Sequence, residues 1–123
     1  MCTQCLKSQG VTPAMIHAQD KAKHLDEGKP GIHCILAMPL ITEMAKVMDY
    51  GAAKYGSHWN YRKGMSWMAL LGSCSRHLTA FIRGENDDKE SKYSHLAHLA
   101  CDAAMLFEYI GHFDNLDDRP RGC

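Results

Sequence analysis

Three stretches of the chain repeat apolar residues every three or four positions, and two of them close on a clear glycine stop; this succession restricts the fold more than any other feature. In the first, after Pro39, the residues Leu40, Ile41, Met44, Val47, Met48, Gly51 and Ala52 share one arc, and Gly56 ends the pattern. Ser66 is placed to cap the second, whose arc is Trp67, Leu70, Leu71, Cys74, Leu78, Phe81 and Ile82, with Gly84 at its end. The third runs roughly from Lys92 to Gly111 and is expected to bury Leu96, Leu99, Ala100, Ala103, Leu106, Phe107 and Ile110. No segment alternates in the period-two manner of a strand. The expected fold is all-α, a small antiparallel bundle of three main helices with short connections.

A length of 123 residues suits one hydrophobic core. Residues 1–32 read as an N-terminal arm, punctuated by Gly10, Gly28, Pro30 and Gly31, and residues 33–123 as the helical domain. A short extra helix is expected from about Pro13 to Leu25, with Thr12 as its N-cap and Pro13 in its first turn. Fourteen basic residues balance fourteen acidic ones, so no general nucleic-acid or anionic-membrane surface is expected, though a local phosphate pocket remains open. The longest mostly apolar run, Ile35 to Ile41, contains a proline and is too short to cross a bilayer. The first residues lack the basic-then-apolar pattern of a signal peptide, so a cytoplasmic setting with reduced cysteines is expected. Cys2 and Cys5 have zinc-knuckle spacing, but no second pair follows them closely.

The chemistry concentrates on the last two helices. At about 100° per residue, His95 and Asp102 project in nearly the same direction and His98 lies about 60° to one side, which allows all three to converge on one ion. His77 flanks the apolar arc of the preceding helix and is a fourth candidate metal ligand. Arg76 and Arg83, seven residues apart, suit phosphate binding or an ordinary surface or dimer salt bridge. Glu43, Tyr50 and Lys54 line one edge of the first helix, where a solvated ion pair is an equal alternative to a site role. Trp59 suits base stacking, a lid, or cover for the core edge. The loop from Glu85 to Asp88 offers metal ligands or simply a polar turn. The methionines read as core filler.

Several of these residues also fall into a recognisable order. Met38-Pro-Leu40, Glu43-Met-Ala-Lys46-Val47, the run from Tyr50 to Gly56 (YGAAKYG), Trp59-Asn60, Lys63-Gly64, Trp67, Arg76-His77, Gly84-Glu85, Glu90-Ser91 and His95-Leu-Ala-His98 follow one another with characteristic spacing. From about Lys21 to Pro120 the chain resembles the dATP/dGTP diphosphohydrolase N-terminal domain family of bacteriophages and prophages. The resemblance implies a nucleotide-pool hydrolase, in the host cytoplasm if phage-encoded, that splits a purine deoxynucleoside triphosphate into monophosphate and pyrophosphate with Mg²⁺ or a similar ion. It is more distantly similar to the all-α MazG-like pyrophosphohydrolases, whose metals sit on ExxE and ExxD helices. The predicted helices here carry neither pattern.

On this reading His77, His95, His98 and Asp102 hold one or two divalent ions, with Glu43 or Glu85 assisting the reaction. Lys54, Arg76 and Arg83 hold phosphate charge, and Tyr55 or Trp59 stacks on the base. Mg²⁺ or Mn²⁺ is expected from the family, while the imidazoles also suit Zn²⁺, Fe²⁺ or Co²⁺. The expected partners are a nucleotide substrate and further copies of the chain in a homo-oligomer. The alternatives are a noncatalytic nucleotide-binding or host-interaction module and a purely structural helical oligomer.

Overall fold

A computed structural model describes residues 22, 24, 25 and 27–121. Among the described residues the structure is helical, without a strand, as the apolar spacing requires. The chain divides into two units, Met1–Gly31 and Ile32–Cys123. Of the helix expected over Pro13–Leu25, only Ala22, His24 and Leu25 are described, and none is helical; Cys2 and Cys5 lie outside the described residues. Cys34, Cys74 and Cys101 are free thiols. No helix among the described residues is long and apolar enough to cross a membrane.

The second unit starts with a short exposed helix, α1 (Ile32–Leu36), which no helical apolar period announces. Pro39 then opens α2 (Pro39–Tyr55), where its missing N–H costs nothing. Gly56 closes α2 in the left-handed conformation, φ 90°, and its N–H donates to the Ala52 carbonyl at 2.7 Å. α3 (Trp67–Ile82) starts where the Ser66 hydroxyl accepts from the Ala69 N–H at 3.2 Å. The Asp118 carboxylate reinforces that helix start by accepting from the Met68 N–H at 2.9 Å, a favourable place for negative charge. α4 (His95–Tyr109) is capped by Ser94, whose hydroxyl accepts from the N–H groups of Leu96 and Ala97. It therefore begins three residues later than the periodicity suggests.

α4 is the central element. It packs against both α3 and α2, which meet it far more than they meet each other, so a groove opens between α2 and α3 with α4 as its floor. Tyr61, Trp67, Leu70 and Tyr109 form one core cluster near the start of α3, and Val47, Ala97 and Cys101 form another under α2. The Trp67 indole N–H donates to the Phe113 carbonyl at 3.0 Å and the Tyr109 hydroxyl to the Tyr61 carbonyl, so the loop after α2 and the tail after α4 are fastened to the same core.

The face that α4 buries corrects the expectation from its periodicity. Leu96, Phe107 and Ile110, placed on the buried arc by spacing, are 39%, 77% and 59% exposed. The inward face instead carries His95, Ala97, Cys101 and Tyr109, with Asp102 and Met105 along the groove floor. Leu78 and Ile82 on α3 are likewise exposed rather than buried. The polar stripe lies inward because α4, besides giving Ala97, Cys101 and Tyr109 to the core, floors a cavity.

Candidate metal centre

The cavity between α2 and α3 has a volume of about 670 Å³, well within the range of small-molecule sites. At one end α3 presents His77 to the first turn of α4, which carries His95 and His98. The Nδ1 atoms of His77 and His95 lie 2.8 Å apart. The His77 ring also stacks on His98, with centroids 4.5 Å apart and planes 8° from parallel. His95 is 4% exposed, and its Nε2 meets a Glu85 carboxylate oxygen at 3.1 Å.

The loop between α3 and α4 supplies the missing carboxylate. It is closed by backbone bonds from Asp88 N–H to the Tyr93 carbonyl at 2.7 Å and from His95 N–H to the Asn86 carbonyl at 2.9 Å. This folding turns Asp88 toward the imidazoles, where Asp88 Oδ2 accepts from the Ser91 N–H at 2.9 Å and lies 3.9 Å from His98 Nε2. Ser91 is buried and its hydroxyl pairs with His98 Nε2 at 2.7 Å. One ligand atom each from His77, Asp88 and His95 falls within 4.8 Å of the others.

Protonation of His77 and Asp88, and of His98 beside them, suits metal binding. Burial holds the His77 and His98 imidazoles below their ordinary pKa, so both are neutral near neutral pH. Burial pushes Asp88 upward, but the Ser91 N–H and hydroxyl together with the nearby imidazoles outweigh it and keep the carboxyl below its ordinary value. The two imidazoles and one carboxylate of His77, His95 and Asp88 form a donor set that fits Mn²⁺, Fe²⁺, Co²⁺ or Zn²⁺ better than Mg²⁺, which prefers oxygen alone. Glu85 sits behind His95, where a carboxylate orients an imidazole ligand and fixes its tautomer.

The other residues singled out in the sequence separate into two groups. His98, Asp102, Lys54, Tyr55 and Arg76 all line the cavity. Asp102 lies further along the floor; burial raises its carboxyl above the ordinary range against a bond from Ser73, and its Oδ2 is buried without a partner among the described residues. Lys54 Nζ and the Tyr50 hydroxyl both donate to Glu90 Oε1, each at 3.0 Å. Glu43, Arg83 and Trp59 do not line the cavity. Glu43 pairs with Lys46 at 3.0 Å, Arg83 opens on a separate shallow hollow with Lys89, and Trp59 stacks under the Arg62 guanidinium at 4.1 Å.

The sequence offers Asp88 only as one member of the acidic loop from Glu85 to Asp88, with a polar turn as the alternative, and gives Glu90 no role, because a carboxylate in a turn has no periodicity. Their signal is the density of acids between two histidine-bearing helices. Asn60, His58, Met48, Met65 and Met105 also line the cavity.

Fold and cavity thus define a class: a small all-α domain with an imidazole–carboxylate cluster and basic side chains around one central groove. The chain belongs to the dATP/dGTP diphosphohydrolase N-terminal family, whose model matches residues 19–119. It is similar to a protein of Salmonella phage PMBT28 named dATP/dGTP diphosphohydrolase, with 30% identity over 96 residues. That match covers 76% of this chain and 31% of the phage protein, so the chain spans about a third of its relative's length. No solved structure matches the chain.

Proposed function

We propose that this domain binds a purine deoxynucleoside triphosphate in the groove between α2 and α3 and hydrolyses it to the monophosphate and pyrophosphate. The observation that carries this reading is the convergence of His77, Asp88 and His95 at one end of a cavity that Lys54 and Arg76 also line. A divalent ion bound there supplies Lewis acidity, polarising a phosphoryl oxygen and acidifying a water. His77, Asp88 and His95 hold it, with His98 and Asp102 alongside and Glu85 orienting His95. Lys54 and Arg76 offset the phosphate charge, and Tyr55 borders the sugar and base. In the balanced reaction, water adds to the α-phosphorus, the bond from that phosphorus to the bridging oxygen breaks, and pyrophosphate leaves. Glu43, Arg83 and Trp59 have no part in this groove.

The homo-oligomer expected from the sequence belongs to the same proposal. Leu96 and Phe107 on α4, Ile110 at its C-cap, and Leu78 and Ile82 on α3 are exposed apolar side chains of the kind that a second copy covers. A nucleotide-pool enzyme of this kind works in the cytoplasm of the host, where its substrates are.

The test is incubation with each of the four dNTPs and Mn²⁺, Co²⁺, Zn²⁺ or Mg²⁺, followed by quantification of pyrophosphate and monophosphate. Equal amounts of both products from dATP or dGTP are expected, and no products with any ion would overturn hydrolysis. The chain's 31% coverage of the phage protein favours one second reading, a nucleotide-binding module whose turnover depends on another part. Saturable dNTP binding without pyrophosphate release identifies that case.

A further inference from the structure

The cavity has two chemically different ends, laid out along α4. Its polar end holds His77, Asp88 and His95, and its other end is walled by Met48, Met65, Leu70 and Met105. From His95 to Met105 the helix rises about 15 Å, enough to separate a phosphate-handling end from an apolar one. The three methionines pack against the cluster of Tyr61, Trp67, Leu70 and Tyr109, so a rigid aromatic core backs this end. Unbranched, polarisable thioethers adapt to the face of a flat aromatic ring.

One amide side chain lines this cavity. Asn60, next to Tyr61 of that core, is half-buried and lines the cavity. Its backbone N–H donates to the Ser57 carbonyl at 3.3 Å, while its carboxamide makes no hydrogen bond among the described residues. A carboxamide offers one acceptor and two donors and can turn over. Adenine presents a 6-amino donor beside the N1 acceptor, and guanine a 6-oxo acceptor beside the N1–H donor. The same asparagine matches either order by turning its amide.

We infer that the methionine-walled end of the cavity receives the purine ring of the nucleotide and that Asn60 reads the ring's edge, accepting adenine and guanine alike. This rests on the proposed function, which supplies the nucleotide as ligand. It moves base recognition away from Trp59, which is on the outside of the cavity, and gives the methionines a role beyond filling a core.

The experiment is a Mn²⁺-supplemented binding titration of the wild-type chain with dATP, dGTP and inorganic tripolyphosphate, repeated for Asn60→Ala and Asn60→Asp with melting curves to verify folding. Asn60→Ala is expected to weaken dATP and dGTP about tenfold and to leave tripolyphosphate unchanged. Asn60→Asp, of nearly the same shape but without the donor, is expected to move the dATP-to-dGTP affinity ratio about tenfold. Folded variants with wild-type purine affinities, or a parallel loss of tripolyphosphate, would overturn the inference and leave the proposed metal centre standing. A wild-type chain that binds tripolyphosphate as tightly as either dNTP overturns it in the same way. If the wild type binds none of the three, the proposed function fails as well.

Discussion

His77 and His95 turn their Nδ1 atoms toward each other at 2.8 Å, across the gap between α3 and α4. One proton can be shared across that distance, but two cannot. The pair therefore favours either a single bridging hydrogen or a cation, and it disfavours the doubly protonated state. Around it stand Asp88, Glu85 and Glu90 from the loop, Arg76 from α3, and His98 and Asp102 from α4.

The pH dependence of the metal-free protein follows. Burial lowers the pKa of His77 and His98 below 6.5, so in acid the unfolded chain takes up protons before the folded one does. Their contribution to stability is complete above the unfolded value and is lost as pH falls through it toward the folded values. Melting temperature should drop between about pH 7 and about pH 5, and His77→Gln with His98→Gln should flatten the drop. An unchanged slope in the double variant would contradict this assignment.

Asp102 has a structural cost. Its Oδ2 is buried without a partner among the described residues, and burial raises its pKa, so the ionised form opposes folding at neutral pH. Asp102→Asn keeps the shape and removes the charge. In urea unfolding near neutral pH the metal-free variant should gain about 1 kcal/mol, with the gain fading as pH falls through the raised pKa. Loss of stability would mean that the carboxylate has a stabilising role.

Gly51 gives access to the cavity without touching its chemistry. It lies within α2, lines the cavity, and a Cβ there meets nothing within 4 Å. Gly51→Ala should stabilise the helix by about 0.5–1 kcal/mol. Gly51→Leu should fold as well but block nucleotide binding while leaving metal affinity intact. Undiminished dNTP binding by the leucine variant would place the nucleotide elsewhere.

Gly64 is the opposite case. It has φ 90°, and a Cβ would lie 2.9 Å from Leu116 Cδ1 and 3.0 Å from the Phe113 ring. Gly64→Ala combines backbone strain with a clash against Leu116 and Phe113, which pack on the aromatic core, and should cost about 1–3 kcal/mol in thermal or chemical unfolding. A neutral outcome would show that the tail after α4 repacks freely.

The helix ends were legible in the sequence wherever one residue has one local job. Pro39 opens α2, Gly56 closes it, and Ser66 caps α3. The start of α4 was less legible because Lys92 precedes a second serine, Ser94, and itself adopts φ 70°. Which face α4 buries was not legible at all: spacing identifies an apolar stripe, but not whether a partner helix or an open groove lies opposite. That His77, His95, His98 and Asp102 line one cavity was legible from helical geometry, whereas the place of Asp88 depends on how the twelve-residue loop between α3 and α4 folds back.

The most direct test of the metal centre is a titration of the metal-free protein with Co²⁺, followed by visible absorption and by equilibrium dialysis, in the wild type and in Asp88→Asn and His77→Ala. The wild type should bind Co²⁺ stoichiometrically with a ligand-field spectrum showing nitrogen donors, and Asp88→Asn and His77→Ala should lose that spectrum while remaining folded. Binding and spectrum unchanged in both variants, or no binding by the wild type, would contradict a metal centre built from His77, Asp88 and His95.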